Sequence, residues 1–478
     1  MNIDIFGSLP LIVIWLALGA VGIVIQAFVR ENTRLVFGYY VGTLAVTALL
    51  AIVTAGHKGY AFEGMITLGG YANYFDVLFC VTGMLTMFAA RPYLQRENVE
   101  LDEFYTLLVS SVAGMMLMAH ANSLITLFIG IELMSLSFYV LTGFMRTNIR
   151  SVEAALKYFL LGAFSTGFLV YGMALVYGST NSLQYDVISK VVLGGGVFFP
   201  ALFVVGVTLL TVGLSFKIAA FPFHQWAPDV YEGAPTVVSA YMSTAGKAAA
   251  FSAFIPVFAA LMPSGAVNGA LSNLPLMVAI IAAITMLLGN ITAIAQSNVK
   301  RMLAYSSIAH AGYMLIGIVT GGIAGQDAIV YYATVYTFMQ MGAFVIVGLL
   351  ERNNEHFLDM KDYAGLHHKQ PVLAALMAMF MFALAGIPPF AGFFGKYLLF
   401  MTAIESGYTW LAIVGVVSSV ISAYFYLGLI VRMYFQDPSG EPLTARPGLA
   451  GITLIVSSAA IILLGVFPQV LLNIFHSW

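Results

Sequence analysis

Apolar residues gather into fourteen blocks, near 9–28, 35–54, 74–90, 104–121, 123–144, 152–178, 197–232, 236–262, 274–296, 301–321, 326–350, 371–403, 409–434 and 449–473. Most reach the roughly 18–20 residues that carry a helix across a bilayer. A membrane β-barrel would show short alternating segments instead. The pattern predicts an all-α, polytopic membrane protein with about fourteen transmembrane helices, numbered first to fourteenth in chain order. No water-soluble domain fits between any two blocks. The longest polar stretch, "ERNNEHFLDMKDYAGLHHKQ" (351–370), reads as a loop carrying a short amphipathic piece.

The seventh and twelfth blocks are too long for one straight crossing, and both contain proline. Pro222 stands in "FKIAAFPFH", and Pro388 and Pro389 in "LAGIPPFAGFFGKYLLF". Proline removes a helix hydrogen bond and clashes with the preceding turn, so broken helices are expected. At membrane depth, breaks are tolerated where protein or water satisfies the freed backbone, and in transporters they mark the conduction site. The breaks lie five helices apart, and an odd offset inverts topology. Helices four to eight and nine to thirteen would form two inverted five-helix repeats. This divides the chain into a three-helix segment (1–103), a first repeat (104–262), a second repeat (274–435) and a C-terminal helix (449–473). Glu132 and His310 are each the tenth residue of their blocks, at equivalent positions under such a repeat.

Basic residues fix an orientation. Odd-numbered loops hold Arg30, Arg34, Arg91, Arg96, Arg146, Arg150, Lys300, Arg301, Arg352, Lys361, Lys369, Arg432 and Arg446, whereas even-numbered loops hold only Lys58 and Lys190. The positive-inside rule then puts odd loops in the cytoplasm and both termini outside. Composition agrees: 61% of the 478 residues are hydrophobic and 8% charged, against about 25% charged in soluble domains. With Cys80 as its one cysteine, the chain makes no internal disulfide and holds no cluster on cysteine ligands alone. The N-terminus lacks a basic region and a small-residue cleavage site, and reads as a retained helix.

Four lysines remain, all inside helices: Lys157, Lys217, Lys247 and Lys396. Glu132 alone among the acids stands at the middle of an apolar helix, and Glu153 lies near a helix start. A charge at bilayer centre costs about 2.5–3.5 kcal/mol even on lenient scales, so such residues usually face a partner or hydrated cavity and mark an ion path. A buried lysine can exchange protons with a neighbouring charge as the switch, whereas arginine stays protonated. The absence of intramembrane arginine favours titration over fixed-charge binding.

Blander readings stand beside this one. Lys217 and Glu132 fit a structural ion pair, and Lys396 a snorkelling side chain. Glu153 and Lys157, four residues apart, fit a helix-surface pair as well as a proton path. His310 and His224 are either satisfied core histidines or path members. His120, at a helix end, reads as interfacial, and His356, His367 and His368 as loop residues rather than a metal site. Trp226, Asp229 and Glu232 read as capping the loop after the seventh helix.

Four stretches carry a family resemblance: "GLSFKIAAFPFHQWAPDVYEGAPTVVSAYMSTAGKAAAF", "SVEAALKYFLLGAFSTGFLVYGMALVYG", "QSNVKRMLAYSSIAHAGYMLIG" and "ALAGIPPFAGFFGKYLLF". They resemble the antiporter-like membrane subunits of respiratory complex I, most closely the subunit N family, the counterpart of mitochondrial subunit 2. The resemblance implies fourteen helices in two inverted repeats. It implies that Glu132 pairs with Lys217, that Lys247 connects the halves, and that Lys396 leads to the exit. It implies proton translocation in a bacterial inner membrane, with neighbouring membrane-arm subunits as partners. Flavin mononucleotide, iron–sulfur clusters and quinone are then expected in partner subunits and no cofactor in this chain. The alternatives are a subunit of a multi-subunit sodium/proton antiporter, of a hydrogenase- or formate-linked complex, or a structural spacer.

Overall fold

The computed structural model describes residues 4–29, 32–263, 273–352, 358–438 and 445–477. Arg30 and His356 lie outside the described residues. Every apolar block is helical, since a chain in hydrocarbon must satisfy its own backbone. The first six helices are Leu9–Phe28, Thr33–Thr54, Gly70–Arg96, Asp102–Ala119, Leu124–Thr142 and Ile149–Thr180. The seventh is split into Pro200–Ile218 and Trp226–Gly233. Thr236–Leu261, Leu274–Ile294, Val299–Thr320 and Gly322–Leu350 follow as the eighth to eleventh. The twelfth is split into Pro371–Ala385 and Ala391–Glu405, the thirteenth is Thr409–Phe435, and the last bends between Ala450–Val466 and Pro468–Ser477.

Among the described residues, 11 helices are long and apolar enough to cross a membrane alone, or 12 if the last pair, bent by 93°, is one span. The fourth falls outside that set, opening on Asp102 and Glu103. So does the twelfth, whose break leaves two 15-residue pieces. The connections hold structure that hydropathy does not reveal. Gly59–Ala61 pairs antiparallel with Ile66–Leu68. Lys190 sits on a short helix, Tyr185–Leu193, rather than in a bare loop. The polar stretch 351–370 carries a 3-10 turn at Met360–Tyr363 and a one-turn helix at Leu366–Lys369.

Polar residues at the block edges start the helices. Asn32, Ser123, Asn148 and Asn298 each accept a backbone N–H of the following first turn, satisfying donors that a helix start leaves open. Helices eight, ten and eleven form the interior, and the first and sixth lie at the outside. The fourth and fifth approach closely because Gly114 and Gly130 face each other. A Cβ at Gly114 would stand 2.6 Å from the Met134 nitrogen.

Both broken helices follow one plan. The seventh stops at Ala219 in the left-handed region (φ 57°), crosses a cis Phe221–Pro222 bond and resumes at Trp226. The twelfth stops at Gly386 (φ 86°), crosses a cis Pro388–Pro389 bond and resumes at Ala391. All three prolines are exposed. The irregular part is therefore shorter than "GIPPFAGFFGK" suggests: it ends at Phe390, because past the prolines every residue again has an N–H to donate.

Candidate functional site

The two breaks free backbone carbonyls inside the protein, and different side chains close them. At the seventh, the Trp226 indole Nε1 donates to the Phe216 carbonyl at 2.9 Å, while the Phe221 N–H donates to Thr285 Oγ1 at 3.0 Å. At the twelfth, Lys396 folds back over the gap. Its Nζ donates to the carbonyls of Leu384 (3.1 Å) and Ala385 (2.9 Å) and to Ser419 Oγ (2.8 Å). An ammonium has three donors, and here all three find neutral acceptors. Lys396 is 4% exposed, so it does not snorkel. A cation at a helix C-terminus also suits the helix dipole.

Lys247 follows a π-helical turn, Met242–Gly246, in the eighth helix. It is buried, and its Nζ donates to the Ser307 Oγ at 2.6 Å and to the Ser307 carbonyl. Its ammonium lies 5.6 Å from the centre of the Tyr336 ring, a favourable cation–π placement. Three residues along the tenth helix from Ser307 stands His310. Its Nδ1 lies 2.7 Å from the Tyr332 hydroxyl and its Nε2 3.1 Å from the Tyr426 hydroxyl. Tyr426 continues to Ser306. Tyr313 lies beside both the His310 ring, 5.6 Å between centroids, and the Lys396 ammonium, 5.0 Å away. Lys247, His310 and Lys396 therefore occupy one polar seam through the interior.

Lys217 is arranged differently from the expected ion pair. Its Nζ donates to Ser135 Oγ at 2.9 Å, and Glu132 Oε1 instead accepts from Thr166 Oγ1 at 2.8 Å. Among the described residues Lys217 and Glu132 form no direct salt bridge. Ser135 lies three residues beyond Glu132, about one helical turn, which places its hydroxyl under the ammonium. Both Glu132 and Lys217 are half-buried, making this the most open of the three amines. His224 lies in the seventh-helix break, half-buried and stacked on Phe221.

A second cluster surrounds the far end of the seventh helix. Lys157 Nζ contacts Glu153 at 2.8 Å and Asp229 at 3.1 Å. Arg301 Nη1 reaches both Asp229 and Glu232 at 2.8 Å. Asp229 and Glu232 thus tie three helices together rather than capping a loop, while Trp226 sits inside the break. Lys300, expected in a loop, is in the first turn of the tenth helix, 1% exposed, and donates to the Ala234 carbonyl at 2.8 Å.

His120 is the C-cap of the fourth helix. It is fully buried, with Nε2 2.8 Å from Asp76 Oδ2 and Nδ1 2.6 Å from the Thr67 carbonyl. Asp76, near the start of the third helix, is equally buried. Ser135, Ser307, Ser419, Tyr332 and Tyr426 are the partners that sequence reading missed. A usable signal existed for two: Ser135 and Ser307 stand three residues from Glu132 and His310, on the same helix faces.

Comparison with known proteins places the chain in a family. Residues 121–422 match the family model described as NADH:quinone oxidoreductase/Mrp antiporter, transmembrane. A relative from Chloroherpeton thalassium, NADH-quinone oxidoreductase subunit N 1, is 46% identical over 414 residues, covering 87% of this chain and 86% of that one. NADH-quinone oxidoreductase subunit N of Trichlorobacter lovleyi is 43% identical over 473 residues, covering 96% and 94%. A chain of respiratory complex I from Thermus thermophilus, solved with bound aureothin, superposes with a TM-score of 0.83 at 32% identity, covering 97% of this chain and 98% of that one.

Proposed function

The chain belongs to the NADH:quinone oxidoreductase/Mrp antiporter family of membrane proteins, and from that premise we propose that it is a proton-translocating membrane-arm subunit of NADH–quinone oxidoreductase. One observation carries the reading: each of the amines Lys217, Lys247 and Lys396 bonds a serine hydroxyl, and among the described residues none bonds a carboxylate. A hydroxyl accepts from an ammonium and donates to a neutral amine equally well. Each lysine therefore keeps a partner in either protonation state, as a relay requires and a fixed ion pair does not.

In this reading a proton enters from the cytoplasmic side and reaches Lys217, the most open amine. The Glu132 charge, one turn beyond Ser135, biases that site. A change of charge in a neighbouring subunit then moves the proton by way of Lys247 and His310 to Lys396 and outward. Glu153, Lys157 and His224 flank the entry side. Redox chemistry stays in partner subunits, which hold the flavin, the iron–sulfur clusters and the quinone. Counting the fourth helix and the split twelfth as crossings makes fourteen. The shared plan of the two breaks supports two inverted repeats, and the basic odd loops support periplasmic termini in a bacterial inner membrane.

The test is Lys217→Ala in the assembled complex, reconstituted in liposomes. NADH-driven proton uptake should be lost, and undiminished uptake would defeat the proposal. Sodium-dependent ΔpH without NADH would favour the antiporter alternative.

A further inference from the structure

Two buried tyrosine hydroxyls stand beside the amine–serine pairs with their hydrogens unused. Tyr139 lies one helical turn after Ser135 on the fifth helix. Side chains on a helix lean toward its N-terminus, so the Tyr139 ring leans back over Ser135, and its hydroxyl comes up to that side chain. The hydroxyl is buried and has no hydrogen-bond partner among the described residues. Gly162 makes room for it: a Cβ there would stand 2.1 Å from the Tyr139 oxygen.

Tyr336 holds the same place at Lys247. Its ring centre lies 5.6 Å from the ammonium, and its hydroxyl comes up to Ser307. That hydroxyl too is buried and unpartnered among the described residues. Tyr231, from the far half of the seventh helix, flanks Ser307 as well. The third amine differs. Tyr313 stands beside Ser419 and Lys396, but its hydroxyl accepts from Asn290 at 3.0 Å and donates to Ser418 at 3.4 Å.

Buried donors are rarely left open, and the serines account for these two. A hydroxyl has one hydrogen and two lone pairs. The charged Lys217 donates to Ser135 Oγ at 2.9 Å, and the Ser135 hydrogen goes to the Ile131 carbonyl at 2.5 Å. A second donor at that oxygen would meet the ammonium charge. Once the amine loses its proton it needs a donor, and Ser135 turns its hydrogen to the lysine. The serine oxygen is then free to accept, and the unpartnered hydroxyl beside it is that of Tyr139. The new bond exists only with the neutral amine, so it stabilises that state.

We propose that Tyr139 is a positioning residue of the relay, donating to Ser135 while Lys217 is neutral and so easing release of the lysine proton, with Tyr336 in the same role at Ser307 and Lys247. The inference rests on the proton-relay reading above. No proton passes through the tyrosine: its hydrogen changes partner and stays on its own oxygen.

The test removes only the hydroxyl, in the assembled complex reconstituted in liposomes. Tyr139→Phe should slow NADH-driven proton uptake about fivefold, the worth of one neutral hydrogen bond, and Tyr336→Phe should act in the same direction. Neither hydroxyl has a protein partner to lose, so the melting temperature should hold or rise. Fluorotyrosine in place of Tyr139, which keeps an O–H donor, should restore uptake. Normal uptake in Lys217→Ala would remove the relay itself, and this inference with it. Lost uptake there beside wild-type rates in both phenylalanine variants would overturn the role of the tyrosines alone. So would a phenylalanine defect that fluorotyrosine leaves in place, or one matched by a lower melting temperature.

Discussion

Lys396 and Ala385 face each other across the break of the twelfth helix, the ammonium of the second half donating to the last carbonyl of the first at 2.9 Å. The residue assigned to proton exit is thus also the cap of an interrupted helix. Lys396→Met would leave the Leu384 carbonyl without its side-chain donor and the Ala385 carbonyl with only the longer Ser419 hydroxyl bond at 3.3 Å, costing about 1–3 kcal/mol. The variant complex should melt at lower temperature and pump less. Lys396→Arg should restore the melting temperature, because its donors still reach, but not proton uptake, because arginine does not deprotonate. Recovery of both functions in the arginine variant would separate this site from proton transfer.

Ser135 tests the relay at the entry. Ser135→Ala removes the one protein hydrogen bond found for the Lys217 ammonium among the described residues, a bond to a charged group worth about 1.5–3 kcal/mol. Proton uptake per NADH oxidised should fall about tenfold or more, and Ser135→Thr, which keeps a hydroxyl, should restore it. A wild-type ratio in the alanine variant would mean that Lys217 works directly on Glu132.

Tyr332 and Tyr426 hold the two ring nitrogens of His310. If protons pass through this imidazole in series, Tyr332→Phe and Tyr426→Phe each interrupt the same route. The double variant should then lose little more uptake than the worse single one, as non-additivity requires of one network. Simple multiplication of the two losses would place the tyrosines on separate paths.

Asp76 and His120 make a stability prediction. The Thr67 carbonyl can only accept, so Nδ1 of His120 carries its hydrogen, and one proton must lie in the 2.8 Å contact between Nε2 and Asp76. An amide N–H can fill that role. Asp76→Asn should therefore leave the assembled complex at near wild-type yield. Asp76→Leu strands a buried imidazole and should cost about 3 kcal/mol or more, seen as reduced accumulation in the membrane.

What the sequence disclosed follows from how few choices lipid leaves. Helix positions and both breaks were readable, because Pro222, Pro388 and Pro389 cannot be hidden in a regular helix. Lys217, Lys247 and Lys396 were readable because an amine in hydrocarbon is too costly to be incidental. Their partners were not. Opposite charge pointed from Lys217 to Glu132, yet side-chain direction along the helix delivered Ser135 instead. Ser307 and Ser419 are ordinary helix residues until packing sets them against an amine. Asp76 and His120 lie 44 positions apart, and each alone reads as a polar residue near a helix end. Lys300 looked like a loop residue because hydropathy blurs the ends of helices, where Asn298 places the true start.

The wide turn at Met242–Gly246 fixes the direction in which Lys247 points. A π turn closes its hydrogen bonds over five residues instead of four, so it holds one residue more than regular winding would and rotates everything after it by about 100°. Unwinding that surplus into an ordinary α turn would swing the amine a quarter-circle away from Ser307 while leaving the rest of the helix on its axis. The bond between Lys247 and Ser307 thus depends on one surplus residue wound into the turn before it.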